Sequence, residues 1–369
     1  MNKDALALAA KINKDIGDDL IVVASDMRPA RTFPSGSLSL DLALGGGWPG
    51  NHWVEIYGKE SHGKTAVTLK TIAANQERDP NFTTLWIAGE HYDTAQAAAL
   101  GVNNEQMLVV PTQTMEHAFD TMLAYAESRA VDAIVLDSYP ALVPSEEEAK
   151  DMDESVMALG ARLFGKFFRK VGPAMRRGAT ERPLLGIIVN QQRDKIGGWA
   201  PNGMIPQTTP GGNAKNYAYY TRVQVKRDDW IVDSVPGKGK INVGQTIKIE
   251  TVKNKATAPK QVATVDFYFR DAPTKGFLRG EYDTVKENIL LGIVHDVIER
   301  RGAYYHFGGQ SWQGKDPMFT GIAEDVELRA ELEAQVREKA LSKPREVTEE
   351  DLQAAAAEPR KVRRRDPAA

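Results

Sequence analysis

Apolar and polar positions along this chain follow two periods. Residues 4–14 place Ala5, Leu8, Ala9 and Ile12 at i, i+3, i+4 and i+7, the stripe of a short amphipathic helix. A helix of that length is marginal alone, so it is expected to pack on another surface. From about Thr32 to Arg270 the pattern changes: short apolar runs rich in β-branched and aromatic residues ("HWVEIYG", "TTLWIAGE", "DAIVLDS", "LLGIIVNQ") alternate with helical stretches at Thr65–Arg78, Met115–Ala130 and Ser155–Lys170. Strand–helix alternation predicts an α/β fold, a mostly parallel twisted sheet with helices on both faces. The later runs "YTRVQVKR", "TIKIETVKN" and "TVDFYF" are joined by turns and read as antiparallel additions. Residues 273–342 read as a small α/β unit, with a helix at 284–300, an "AYYHF" strand and a charged helix at 322–340; the tail beyond Ser342 is expected to lack fixed structure.

One stretch has neither period. "QQRDKIGGWAPNGMIPQTTPGGN", Gln191 to Asn213, follows a core-strand run and holds five Gly and three Pro in 23 residues. Loops of that length in compact domains are usually functional or disordered. This one carries Trp199, Met204 and Ile205, which a solvated linker would avoid.

Composition narrows the class. With 369 residues, 42% hydrophobic and 26% charged, the chain has ordinary globular balance and length for two or three units. No apolar run is long enough for a membrane span, and the charged start lacks the apolar core of a secretory leader. Without cysteine, disulfides and thiolate metal sites are excluded, which fits a reducing, cytoplasmic setting. A net charge of −3 argues against a nucleic-acid binder unless positive charge is local.

The chemistry sits at strand ends. "GKESHGKT", comprising Gly58, Lys59, Glu60, Ser61, His62, Gly63, Lys64 and Thr65, matches the phosphate-loop pattern GxxxxGK[ST], follows the strand "VEIY" and opens a helix. The glycines let backbone N–H groups turn inward, and the helix N-terminus adds its dipole. Lys64 would neutralise β- and γ-phosphate charge, and Thr65 would hold Mg²⁺. "AIVLD" ends in Asp137, a second metal carboxylate or simply an acidic strand terminus. Hydrolysis needs a group to orient or deprotonate water. Glu90, ending "WIAGE", fits that role, with His91 the alternative. Gln191 could touch a γ-phosphate through its amide, or could merely finish a strand.

Taken together, "SGSLSLDLALGGG" (35–47), "VEIYGKESHGKT", "EHYD" (90–93), "VLDS" (135–138), "NQQRDKIG" (190–197), "GGNAKNYA" (211–218) and "VKNK" (252–255) resemble the bacterial RecA recombinase family, in its order and near its spacing, over roughly residues 4–342. The resemblance implies a RecA-like ATPase core over 33–270, an N-terminal oligomerisation segment over 1–32 and a small C-terminal domain over 271–342. It implies an ATP- and Mg²⁺-dependent protein that forms filaments on single-stranded DNA, searches double-stranded DNA and exchanges strands. The rivals are a ring-forming helicase on the same core and a non-catalytic paralogue.

Residue by residue, the resemblance makes Glu90 the catalytic carboxylate, Gln191 the γ-phosphate sensor and Asp93 an adenine contact. Lys253 and Lys255 match the pair that reaches a neighbour's ATP, in the manner of an arginine finger. Residues 144–162 resemble the first DNA-binding loop and 191–213 the second. Met157, Trp199, Met204 and Ile205 are then candidate wedges between base triplets, since base stacking is worth roughly 1–3 kcal/mol per base. Gly211, Gly212 and Asn213 match backbone that approaches phosphates, and Arg162 and Arg169 match phosphate-contacting arginines. There are departures. The adenine-stacking tyrosine falls on Gln96, leaving Tyr92 as the nearby aromatic; the first loop carries six acids and one lysine in "SEEEAKDMDES"; the tail ends in "RKVRRR". They mark a diverged member, either cellular or encoded by a bacterial virus.

Overall fold

The central sheet is built from eight strands: β1 His52–Gly58, β2 Thr84–Ala88, β3 Met107–Pro111, β4 Ala133–Asp137, β5 Leu185–Gln191, β6 Thr221–Val235, β7 Gly239–Lys253 and β8 Val262–Tyr268. In this computed structural model residues 2–17, 21–26, 31–149, 159–176, 182–194, 207–235, 237, 239–342 and 347–356 are described. Strand order is β8-β7-β6-β1-β5-β4-β2-β3. The six strands from β6 to β3 are parallel; β7 and β8 add antiparallel. The expectation of three antiparallel additions is therefore corrected for β6, which runs parallel to β1 and is reached from β5 by a crossover. Strand-like alternation fixes which face a side chain takes but not which way the strand runs.

Among the described residues beyond residue 31, and apart from shorter turns, the helices are α2 Leu38–Leu44, α3 Lys64–Arg78, α4 Thr94–Ala99, α5 Met115–Ser128, α6 Leu159–Arg176, α7 Ala214–Ala218, α8 Thr284–Val294, α9 Lys315–Glu324, α10 Val326–Ser342 and α11 Glu349–Ala356. Strands buried on both sides read as continuous apolar runs. In β4, Ala133 and Val135 join the core under α3 with Val54, Ile56, Ile72 and Ile187, whereas Ile134 and Leu136 join the core under α5 and α6 with Ile87, Phe119, Phe164 and Ile188. The α5–α6 seam is aromatic: Phe119 stacks on Phe164 and Phe167 at centroid distances of 5.5 and 4.8 Å. The outer side of α6 exposes Arg162, Lys166 and Arg169.

The chain divides into two units, 1–31 and 32–369. The first holds α1, Lys3–Ile16, N-capped by Asn2, whose Oδ1 accepts from Asp4 N–H at 2.9 Å, and closed by Gly17 in the left-handed region. In the second, the predicted helix 284–300 stops at Val294, because Asp296 takes a left-handed φ of 54° and Glu299–Arg301 begins a three-stranded antiparallel sheet. The predicted helix 322–340 is two helices, parted at Asp325, whose carboxylate accepts from Glu327 and Leu328 N–H and caps α10. The tail expected to lack structure contains α11, Glu349–Ala356. Thr348 and Asp351 bond reciprocally at its start, and Leu352 and Ala355 bury against Leu290 and Val294 of α8. The basic run 360–365 lies outside the described residues. No helix among the described residues is long and apolar enough to cross a membrane.

Candidate nucleotide and DNA site

β1 ends at Gly58 for a steric reason: a Cβ there would stand 2.1 Å from the carbonyl oxygen of Val225 in β6. The loop then turns through Ser61 at φ 57° and Gly63 at φ 96° before α3 starts at Lys64. A Cβ on Gly63 would also meet Ile247 Cδ1 at 2.7 Å, so the loop lies tightly against the middle of β6 and β7. The result is an N-terminal helix end facing the carboxyl edge of a parallel sheet, where anions bind. Lys64 Nζ donates to the Lys59 carbonyl at 2.8 Å, folding over the loop. Burial lowers its pKa, an effect resisted by Asp137, Glu90 and Glu60.

Two strand ends, those of β4 and β2, bring the acidic residues Asp137 and Glu90 to this loop. Thr65 Oγ1 donates to Asp137 Oδ2 at 2.9 Å. Burial pushes the Asp137 carboxyl up to about 6; the Thr65 bond lowers it, nearby Glu90 raises it and Lys64 lowers it. A buried carboxylate paired with a hydroxyl suits a hard cation with oxygen ligands. The donor set therefore fits Mg²⁺, with Thr65 and Asp137 as the residues that would hold it. Glu90 is exposed just beyond β2; its N–H donates to the Asp137 carbonyl at 3.1 Å, and its Oε1 accepts from Ser138 Oγ at 2.5 Å. Ser138, joined to Asp137 by a cis peptide bond, was not singled out from sequence, although "VLDS" contains it.

Gln191 pairs in register with Gly58, so it sits one strand from the loop; its N–H donates to Asn190 Oδ1 at 2.9 Å. The next residue, Gln192, donates its N–H to the Gly58 carbonyl at 3.1 Å and links Gln207 and Gln224 through side-chain amides. Asp93 is exposed and caps α4, accepting from Ala95 and Gln96 N–H at 2.9 and 3.0 Å. Those bonds, Gln96's foremost, lower its pKa. Tyr92 packs edge-on against Trp86, and its hydroxyl donates to Asn104, so its ring is committed to the core. Lys253 Nζ donates to the Asn216 and Tyr219 carbonyls, both at 2.6 Å, and Lys255 lies over the Tyr220 ring.

The two candidate DNA-binding regions meet. A Cβ on Gly211 would touch the Phe164 ring at 2.7 Å, and one on Gly212 would approach Ala161 Cβ at 3.2 Å. The Gly-Gly-Asn turn ending at Asn213 thus rests on α6 beside the exposed Arg162 and Arg169. Lys166, between those arginines on the same exposed side, escaped the sequence reading, although its i+4 and i−3 spacing was visible. Met157, Trp199, Met204 and Ile205 lie outside the described residues.

Fold and site together define a P-loop nucleotide-binding α/β protein in which a basic helix, α6, seats the Gly211–Gly212 turn. Comparison refines the class. A sequence model of the RecA N-terminal domain matches residues 4–273. Proteins named "Protein RecA" are similar along almost the whole chain: that of Methylococcus capsulatus is 35% identical over 342 residues, covering 91% of this chain and 92% of its own. That of Xylella fastidiosa is 36% identical over 356 residues, covering 95% and 96%; that of Bacillus velezensis is 35% identical over 340, covering 90% and 91%. The chain belongs to the RecA family.

Proposed function

We propose that this protein is a DNA-dependent ATPase that assembles on single-stranded DNA as a helical filament and catalyses homologous pairing and strand exchange in recombination and repair. The observation that carries this reading is the continuity of the site. Gln191 lies in register with the first phosphate-loop glycine, and the connection it begins ends at Gly211 and Gly212, seated on the basic helix α6.

In this reading residues Gly58 to Thr65 cradle ATP, with Lys64 on the β- and γ-phosphates. Mg²⁺, bound by Thr65 and Asp137, would neutralise phosphate charge. Glu90 takes a proton from the attacking water, and Ser138 orients it. Gln191 reads the γ-phosphate, Asp93 meets the adenine, and Lys253 and Lys255 act on the ATP of an adjacent copy. Lys253 must then leave the Asn216 and Tyr219 carbonyls, which ties its reach to α7. Arg162, Arg169, Gly211, Gly212 and Asn213 contact the DNA backbone; Met157, Trp199, Met204 and Ile205 are the wedge candidates. Residues 1–32 serve assembly, 33–270 the ATPase core, and 271–342 form the smaller C-terminal part.

The decisive experiment is strand exchange between a circular single strand and a homologous linear duplex, with and without ATP. Joint molecules only with ATP are expected; their absence at saturating protein rejects the reading. Electron microscopy with a non-hydrolysable ATP analogue and single-stranded DNA adds the geometry: open helices are expected, and closed rings would favour a helicase.

A further inference from the structure

A charged cluster inside the protein joins the phosphate-loop strand to the foot of the second loop. Glu55 lies in β1, three residues before Gly58, and is 0% exposed. An unpaired carboxylate there would be strongly unfavourable. Lys215 Nζ meets its Oε1 at 3.0 Å, Arg222 Nε meets its Oε2 at 2.5 Å, and Asn190 Nδ2 donates to Oε1 at 2.8 Å. Lys215 is itself only 1% exposed, a rare state for lysine unless it is paired.

The same three side chains hold the loop foot. Lys215 Nζ donates to Thr209 Oγ1 at 2.5 Å, and Arg222 Nη2 donates to the same oxygen at 3.2 Å. Asn190 Nδ2 also donates to the Pro210 carbonyl at 3.0 Å, while its Oδ1 accepts the N–H of Gln191. Unbroken contacts therefore run from Gln191 through Asn190 and Glu55 to Thr209 and Pro210, the residues that lead into Gly211. A buried ion cluster is a poor stabiliser compared with apolar packing of the same volume. What it does supply is directional geometry, because each donor has a fixed partner on a different element.

We propose that Lys215 is a positioning residue for DNA binding: through Glu55 and Thr209 it fixes the carboxyl-terminal foot of the second loop to the strand that carries the phosphate loop, so that nucleotide occupancy and DNA grip are read through one cluster. The proposal rests on the reading of 207–213 as part of a DNA-binding loop. A contiguous network becomes a coupling only when the coupling is measured.

The test uses the full chain with Lys215→Met, which leaves Glu55 paired to Arg222, and Thr209→Val, which leaves the whole ion cluster and deletes only the loop's acceptor. Hydrogen exchange across residues 207–222 is read with and without a non-hydrolysable ATP analogue, and ATPase turnover is titrated with oligothymidylate. In the parent chain the analogue slows exchange of the foot. Each variant is expected to lose most of that protection and to need about tenfold more oligothymidylate for half-maximal stimulation, the size of one charged hydrogen bond. Nucleotide affinity and DNA-independent turnover stay within about twofold, and the double variant is no worse than the worse single one, as a shared network requires. Parent-like protection and DNA response in folded variants, or additive effects, overturn the proposal. If Lys215→Met does not fold, Thr209→Val decides alone. If the parent shows no DNA-stimulated turnover, the DNA-binding reading fails, and the exchange measurement still decides the coupling.

Discussion

Gly211 lies against the ring of Phe164 so closely that a single added carbon would come within 2.7 Å of it, and its φ of +106° is one that L-residues rarely adopt. Gly211→Ala therefore meets both a clash and backbone strain, the latter about 1–2 kcal/mol. The foot must shift off α6. Single-strand affinity, measured by fluorescence anisotropy of a labelled oligonucleotide, is expected to fall about tenfold while ATP affinity holds. Adding Phe164→Leu should recover part of the loss, because it relieves the clash and leaves the strain.

Glu90 and Lys64 separate catalysis from binding. Glu90→Gln keeps the Ser138 contact and removes the base, so turnover should fall by about 10²–10⁴-fold with ATP binding retained. Lys64→Ala should abolish phosphate release with the thermal melt unchanged, since Nζ donates only to the Lys59 carbonyl among the hydrogen bonds of the site. Retained turnover in either variant would put the chemistry elsewhere.

How much of this was legible beforehand follows physical lines. The phosphate loop was readable because Gly58 and Gly63 answer to steric demands within a few residues of sequence. The core strands β1, β2, β4 and β5 were readable as apolar runs; β3 was passed over, although "MLVVP" has the same character. The direction of β6 was hidden, because period 2 carries no polarity. The cluster of Glu55, Lys215 and Arg222 was hidden for another reason: its members are separated by as many as 167 residues, and only the crossover from β5 to β6 brings them together. In the tail, the Thr348–Asp351 pair three residues apart and the apolar Leu352 and Ala355 were local signals of a helix, outweighed by the surrounding charge.

Arg162, Lys166 and Arg169 form one exposed row on α6, and the row predicts a salt dependence. If each neutralises one phosphate of a single strand, replacing one by alanine should lower the slope of log affinity against log salt by about 0.7. Lys166→Ala tests the residue found only in the structure. An unchanged slope, measured between 50 and 200 mM salt, would remove it from the interface.

Glu287 carries a pH signature of its own. It lies on α8 beneath the first turn of α2; its carboxyl accepts from Ser37 Oγ and from the N–H groups of Ser39 and Leu38 at 3.0 and 3.3 Å. Burial pushes its pKa from 4.5 up to about 8; those bonds lower it and nearby Asp41 raises it. The folded state therefore holds a proton that the unfolded chain has released. The sign is that of a raised acid: stability is greatest below about 4.5 and falls as pH climbs to about 8, where the penalty is complete. The slope approaches about 1.4 kcal/mol per pH unit from this group. Asp41 and Asp283, also raised by burial, add to the acidic end of the same trend. Glu287→Gln keeps the acceptor for Ser37 and Ser39 and has no proton to lose. Urea unfolding at several pH values is expected to show the parent chain weakening toward pH 8 relative to Glu287→Gln. Parallel curves for the two chains would mean that the carboxylate is already ionised in the folded protein, held by the α2 N-terminus.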